Sequence, residues 1–133
     1  MICPYCGSDA ELTTGHKVYP HRPDLAHLKI WACLPCDAWV GTHKNSPTHA
    51  PLGRMANAEL RRAKMAAHAA FDPIWKSGRM SRSKAYALLA SLMNLPKQDT
   101  HIGMFDVQQC KQVVEVCKTM APTSQPGSFM VYQ

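Results

Sequence analysis

Two Cys-x-x-Cys pairs constrain this chain more than any other feature. They are Cys3-Pro4-Tyr5-Cys6 and Cys33-Leu34-Pro35-Cys36, with 26 residues between them. A bend of this kind aims two thiolates at one point about 2.3 Å from a metal, and two bends complete a tetrahedron. Four soft thiolates suit Zn²⁺ best among the common intracellular metals. The flanking residues agree. Gly7 follows the first pair and Asp37 the second, where a knuckle wants a residue that tolerates positive φ. Pro4 and Pro35 stiffen the bends and lower their ordering cost. The gap slightly exceeds the roughly 15–20 residues usual between such pairs, which predicts a longer hairpin or an inserted loop. Cys3, Cys6, Cys33 and Cys36 are therefore the expected ligands of one structural Zn²⁺.

A redox reading is the rival, because Cys-Pro-Tyr-Cys is also the active-site tetrapeptide of glutaredoxins. That chemistry needs the first cysteine at a helix N-terminus after a buried strand, where the dipole lowers its pKa. Here the tetrapeptide begins at residue 3 and is followed by Gly7-Ser8-Asp9, and a second pair is at hand. Metal binding is the stronger reading.

Between the knuckles, residues 11–19 and 28–32 read as short strands joined by the turn-rich Pro20-His21-Arg22-Pro23-Asp24, and residues 38–42 read as a third. Two knuckles at one end of a small antiparallel sheet make a zinc ribbon. So small a sheet has little core, and metal binding would supply much of its folding free energy. Trp31 and Trp39 are expected to cover the sheet, with a stacking platform for nucleic-acid bases as the sharper alternative.

From Arg54 onward the apolar period changes from two to 3.6. Asn57 can cap a helix carrying Leu60, Ala63, Ala67, Phe71 and Ile74 on one face, and Asp72-Pro73 can restart it as a separate turn. Gly78 stops the segment. Ser81 caps a second helix with Tyr86, Leu89 and Leu92 or Met93 inward, ended by Asn94-Leu95-Pro96. Asp106 with Gln109 forms a capping-box-like start for a third. In that third helix, positions 107, 110, 114 and 117 share a stripe, so Cys110 and Cys117 are expected core residues. They would stand about 10.5 Å apart along the axis, too far for a disulfide. The expected architecture is α+β: an N-terminal four-cysteine zinc ribbon packed on a C-terminal three-helix portion. The expected divisions are residues 1–44 for the ribbon, 45–120 for a basic loop and helical subdomain, and 121–133 for a flexible tail, in which Phe129-Met130-Val131-Tyr132 could dock or add an edge strand.

Length and charge bound the function. At 133 residues the chain holds one compact domain or two small subdomains, which excludes a large catalytic barrel or doubly wound sheet. No apolar run approaches the roughly 20 residues of a membrane span, and Met1-Ile2-Cys3-Pro4 is no signal peptide, so the protein is expected to be soluble and cytoplasmic, without a membrane partner. The net charge is +6, but it is unevenly spread. Residues 44–84 hold nine basic and two acidic side chains, which leaves the rest of the chain near −1. Four thiolates with one Zn²⁺ contribute −2, so the metallated chain carries about +4. Any attraction to nucleic acid must then come from a local patch. The candidate contacts are Arg54, Arg61, Arg62, Lys64, Arg79, Arg82 and Lys84, with Arg61, Lys64 and His68 sharing one helical strip beside the apolar face.

Seven histidines invite an active-site reading. A zinc-supported nuclease would want a histidine base beside a second ligand set, and His43, Asn45 and His49 could be imagined there. Their spacing does not support it and carboxylates are scarce. His68 and His101 fit capping or core hydrogen bonds. No nucleophile–base pair, phosphate-cradling glycine loop or small-molecule substrate is evident. The expected default is no enzyme.

These segments together resemble a small prokaryotic and phage family, the zinc-finger-containing domain of unknown function. The resemblance is carried by Cys3-Pro4-Tyr5-Cys6-Gly7, Tyr19-Pro20-His21-Arg22-Pro23-Asp24-Leu25 and Trp31-Ala32-Cys33-Leu34-Pro35-Cys36-Asp37-Ala38-Trp39-Val40-Gly41-Thr42-His43. It continues in Pro51-Leu52-Gly53-Arg54-Met55-Ala56, residues 68–75, Ala85-Tyr86 and His101-Ile102-Gly103-Met104-Phe105-Asp106, so it covers residues 1–118. In the family pattern a cysteine often precedes the His-Ile-Gly triplet, where this chain has Thr100, which argues against a second metal site. The resemblance implies zinc and a phage or mobile-element setting in a bacterial host cell, and no particular activity. The resulting expectation is a zinc-stabilised, non-enzymatic nucleic-acid-binding or regulatory protein. The alternative is a protein-interaction module that binds and modulates a host enzyme or complex.

Overall fold

The computed structural model describes residues 1–120, and the expectations for the tail lie outside them. The chain divides into two compact units, the first ending at Arg62 and the second starting at Ala63. The first is a three-stranded antiparallel sheet in the order β1 (Glu11–Thr14), β2 (Lys29–Cys33), β3 (Ala38–Gly41). Glu11 pairs with Ala32 and Thr14 with Lys29, while Cys33 pairs with Ala38 and Ile30 with Gly41. This register puts both knuckles at one end of the sheet, as expected of a ribbon.

The first strand is shorter than the sequence pattern predicts. Residues 15–18 form a one-turn helix, α1 (Gly15–Val18), closed by the Tyr19 N–H donating to the Gly15 carbonyl at 2.7 Å. Gly15 is the reason. A Cβ there would collide with the Leu25 carbonyl, so only glycine lets the chain leave the ladder at this point.

Residues 42–56 return along β3. Thr42 bridges Pro51 and Trp39 bridges Ala56, both antiparallel, with Trp39 and Ala56 exchanging backbone bonds of 3.1 and 3.0 Å. This pairing draws residues 45–57 into the sheet unit, so that unit extends well past residue 44. One apolar cluster gathers Cys3, Cys33, Ala38, Val40 and Met55 beside the knuckles, and Ile30, Ala32, Ala56 and Leu60 are buried elsewhere in the unit.

Three longer helices follow: α2 (Ala58–Lys76), α3 (Arg82–Met93) and α4 (Val107–Met120). These are the three helices expected of the C-terminal portion; the one-turn α1 within the ribbon brings the described residues to four α-helices. The local signals hold. Asn57 Oδ1 accepts from the Leu60 N–H at 3.0 Å, and the Ser81 side chain accepts from Lys84 N–H. The Asp106–Gln109 box closes in both directions, at 2.8 and 3.1 Å. Gly78 ends α2 with φ +85°, and Asn94 ends α3 with φ 58°.

Pro73 does not interrupt α2, contrary to the expected restart. It removes one ladder bond, but Phe71 and Ile74 on either side of it are both buried, and packing carries the helix through. On α3 the inward set is Ala85, Leu89, Ala90 and Met93, with Leu92 turned outward. On α4 it is Cys110, Val113, Cys117 and Met120, so both cysteines are core residues as expected, while Val107 and Val114 are half-buried. Thr100 is buried too, its hydroxyl satisfied by the Pro96 carbonyl at 2.8 Å. No helix among the described residues is long and apolar enough to cross a membrane.

Candidate metal centre

The first knuckle is a tight hairpin. Cys3 N–H donates to the Ser8 carbonyl (2.8 Å), Gly7 N–H to the Cys3 carbonyl (2.9 Å), and Ala10 N–H to the Met1 carbonyl (2.8 Å). Gly7 turns with φ 77°. The Tyr5 N–H points at Cys3 Sγ at 3.4 Å. The second knuckle is a 3-10 turn over Leu34–Cys36 that leaves β2 at Cys33 and ends at Asp37 with φ 52°. Gly7 and Asp37 thus take the left-handed conformations their positions predict.

These two turns bring Cys3, Cys6, Cys33 and Cys36 together, with their four sulfurs within 4.8 Å of one another and Cys6 Sγ 3.7 Å from Cys33 Sγ. Sulfurs at about 2.3 Å from a tetrahedral zinc would stand about 3.8 Å apart, so the cluster fits the ion. Cys3 and Cys33 are buried, whereas Cys6 is exposed and Cys36 intermediate. The electrostatics of the four thiols agree with this fit. The Ser8 backbone N–H, then its hydroxyl, hydrogen-bond Cys6 and draw its thiol down to about 6. The Cys33 and Cys6 side chains push Cys36 up to about 12. Four such groups cannot all ionise side by side without a cation, and a divalent ion lets them do so. With all four positions filled by protein thiolates the site is closed, the mark of a structural rather than a catalytic zinc.

Two contacts that sequence reasoning missed fasten the knuckles to the rest of the unit. Tyr5 Oη donates to the Met55 carbonyl and accepts from the Asn57 N–H, both at 3.2 Å, tying the first bend to the returning chain. Arg61 clasps the second bend. Its guanidinium donates to the Asp37 carbonyl (2.7 Å), the Ala56 carbonyl (2.9 Å) and Asp37 Oδ2 (3.1 Å), and lies over the Trp39 ring at 3.7 Å. Only about a quarter of the Arg61 side chain is exposed (26%).

The helical strip of Arg61, Lys64 and His68 is therefore not a free cationic stripe. Arg61 belongs to the ribbon, Lys64 Nζ donates to the Gly103 carbonyl at 2.8 Å, and His68 Nδ1 meets the Asp72 carboxylate at 3.2 Å. Nor is Trp39 an open platform, since Arg61 covers one face. Tyr19 meets it edge-on and accepts from its indole N–H at 3.0 Å. The Trp31 N–H donates to the His49 carbonyl at 2.8 Å. Among the remaining candidates, Arg54, Arg62, Arg79, Arg82 and Lys84 are exposed. Arg82 lies 4.8 Å from the Tyr86 ring and 5.6 Å from the Trp75 ring.

Fold and site together define a zinc-ribbon protein: two Cys-x-x-Cys knuckles at one end of a three-stranded sheet, carrying one structural zinc and followed by helices. The chain belongs to the zinc-finger-containing domain family, whose sequence pattern matches residues 1–120. No curated protein and no solved structure matches it.

Proposed function

We propose that this zinc-stabilised protein is a non-enzymatic nucleic-acid binder, and that the contacts come from the helical unit rather than from the ribbon. The observation that carries this is a charge imbalance. Residues 73–98 hold five cations, Lys76, Arg79, Arg82, Lys84 and Lys97, and no acidic residue. None of the five makes an ion pair among the described residues. Lys76 and Arg82 both flank the Trp75 ring, at 5.6 Å each. Unpaired cations beside half-buried aromatics suit phosphates together with exposed bases.

The test is fluorescence anisotropy of labelled single-stranded DNA, duplex DNA and RNA with the zinc-loaded protein. About four phosphate contacts predict a loss of about a hundredfold in duplex affinity between about 50 and 200 mM salt. Arg79→Glu/Arg82→Glu should weaken binding further with zinc content unchanged. Absence of binding at low salt, or affinity indifferent to salt and to this variant, would refute the reading. A stoichiometric protein partner that survives nuclease and is lost in the same variant would assign the patch to a host protein instead.

A further inference from the structure

The sheet unit holds a cleft of about 600 Å³ at the end of β2 and β3, against the loop over residues 43–52. That volume lies within the range of small-molecule sites, roughly 300–1,000 Å³. Its walls carry Lys29, Lys44, His27, His43 and His49 and no acidic side chain. Lys29, Lys44, His43 and His49 have no side-chain hydrogen-bond or ion-pair partner among the described residues, and His27 interacts electrostatically with the Asp24 carboxylate, which Arg22 holds. Leu28 and Leu52 also line the cleft and are 39% and 57% exposed.

The cleft is built before any ligand arrives. His43 N–H donates to the Ala50 carbonyl (2.8 Å), Leu52 N–H to the Gly41 carbonyl (2.9 Å) and Ala50 N–H to Ser46 Oγ (3.0 Å). The Trp31 indole holds the His49 carbonyl, and the Thr42 hydroxyl holds the Lys29 carbonyl at 2.8 Å. Asn45 and His49 turn the loop in the left-handed region, with φ 69° and 53°.

Two ammonium groups with no counter-charge call for an anion, and open leucines beside imidazoles call for a flat, weakly polar group on the same molecule. We propose that this cleft binds a nucleoside monophosphate, free or as the 5′ end of a strand, with the phosphate on Lys29 and Lys44 and the base against Leu28, Leu52 and the histidine rings. The cleft shares no residue with the cationic patch of the helical unit, so the two proposals fail separately.

Calorimetric titration of the zinc-loaded chain with AMP, adenosine, inorganic phosphate and a 5′-phosphorylated adenylate trinucleotide decides it. One AMP per chain is expected, with adenosine and phosphate each at least about tenfold weaker. Lys29→Glu/Lys44→Glu should lower AMP affinity at least about tenfold while zinc stays at one per chain. If that variant loses zinc, Lys44→Gln on the exposed loop replaces it, with a loss of about threefold expected. A trinucleotide that binds at least about tenfold more tightly than AMP assigns the cleft to strand ends, and equal affinities assign it to free nucleotide. Absence of binding by both AMP and the trinucleotide, adenosine binding as tightly as AMP, or lysine variants that bind like the parent would overturn the proposal.

Discussion

The two compact units use cysteine in opposite ways. In the sheet unit Cys3, Cys6, Cys33 and Cys36 sit on turns, where backbone N–H groups and neighbouring thiols set their chemistry. In the helical unit Cys110 and Cys117 sit on one buried stripe, and burial pushes the Cys117 thiol up to about 11. The first set is held for a metal, and the second is held as small apolar groups. The difference follows from what each unit can bury. Around the knuckles the sheet unit buries a cluster of five small-to-medium residues, two of them ligands, and its largest aliphatic residues buried elsewhere are Ile30 and Leu60. The helices bury Phe71, Leu89, Ile102, Phe105 and Val113. A unit that cannot bury enough apolar surface must find its stability elsewhere, and here the ion supplies it.

Three perturbations should separate the two units. Removing zinc with a strong chelator should cost the sheet unit about 10 kcal/mol or more, on the scale of small zinc domains. Hydrogen exchange should show amides of β1, β2 and β3 losing protection while those of α3 and α4 keep theirs. Simultaneous loss in both units would break the contrast. Phe71→Ala reverses the experiment. Phe71 is fully buried and stacks edge-on with Tyr86 at 4.6 Å, so the variant should lose about 3–5 kcal/mol from the helical unit in denaturant titrations and still bind one zinc. Arg61→Ala sharpens the picture inside the sheet unit. Loss of the bonds to Asp37 and Ala56 and of the contact with Trp39 should cost about 1–3 kcal/mol and loosen zinc, visible as faster transfer to a competing chelator. If nucleic-acid affinity fell in this variant while zinc exchange stayed unchanged, Arg61 would belong to the contact surface instead.

What could be read from the sequence was what is local. The knuckle turns at Gly7 and Asp37, the caps at Asn57, Ser81 and Asp106, and the stop at Gly78 each depend on residues within four positions, and all of them hold. The four ligands were legible because a Cys-x-x-Cys bend carries its geometry with it. Features that depend on distant partners were not. Nothing near Gly15 announces the Leu25 carbonyl that leaves no room for a Cβ there, and nothing near Pro73 announces that Phe71 and Ile74 are buried. Arg61 is the instructive case. One helical turn after a cap, beside Lys64 and His68, it reads as part of a basic stripe, and only the return of residues 50–56 along β3 places Asp37, Ala56 and Trp39 around it. A cation's charge can be counted from sequence, but whether it is already used inside the molecule cannot.

Counting reactive thiols in native, chelated and denatured protein separates the two uses of cysteine. Burial raises Cys110 and Cys117, the former chiefly by desolvation, so both should stay unreactive toward a thiol reagent at neutral pH while the helices are folded. The native chain should carry one zinc, four thiols should become reactive when a chelator takes that zinc, and the last two of the six only when denaturant unfolds the helices. A metal content other than one zinc per chain, or six thiols appearing together on chelation, would contradict this division of roles.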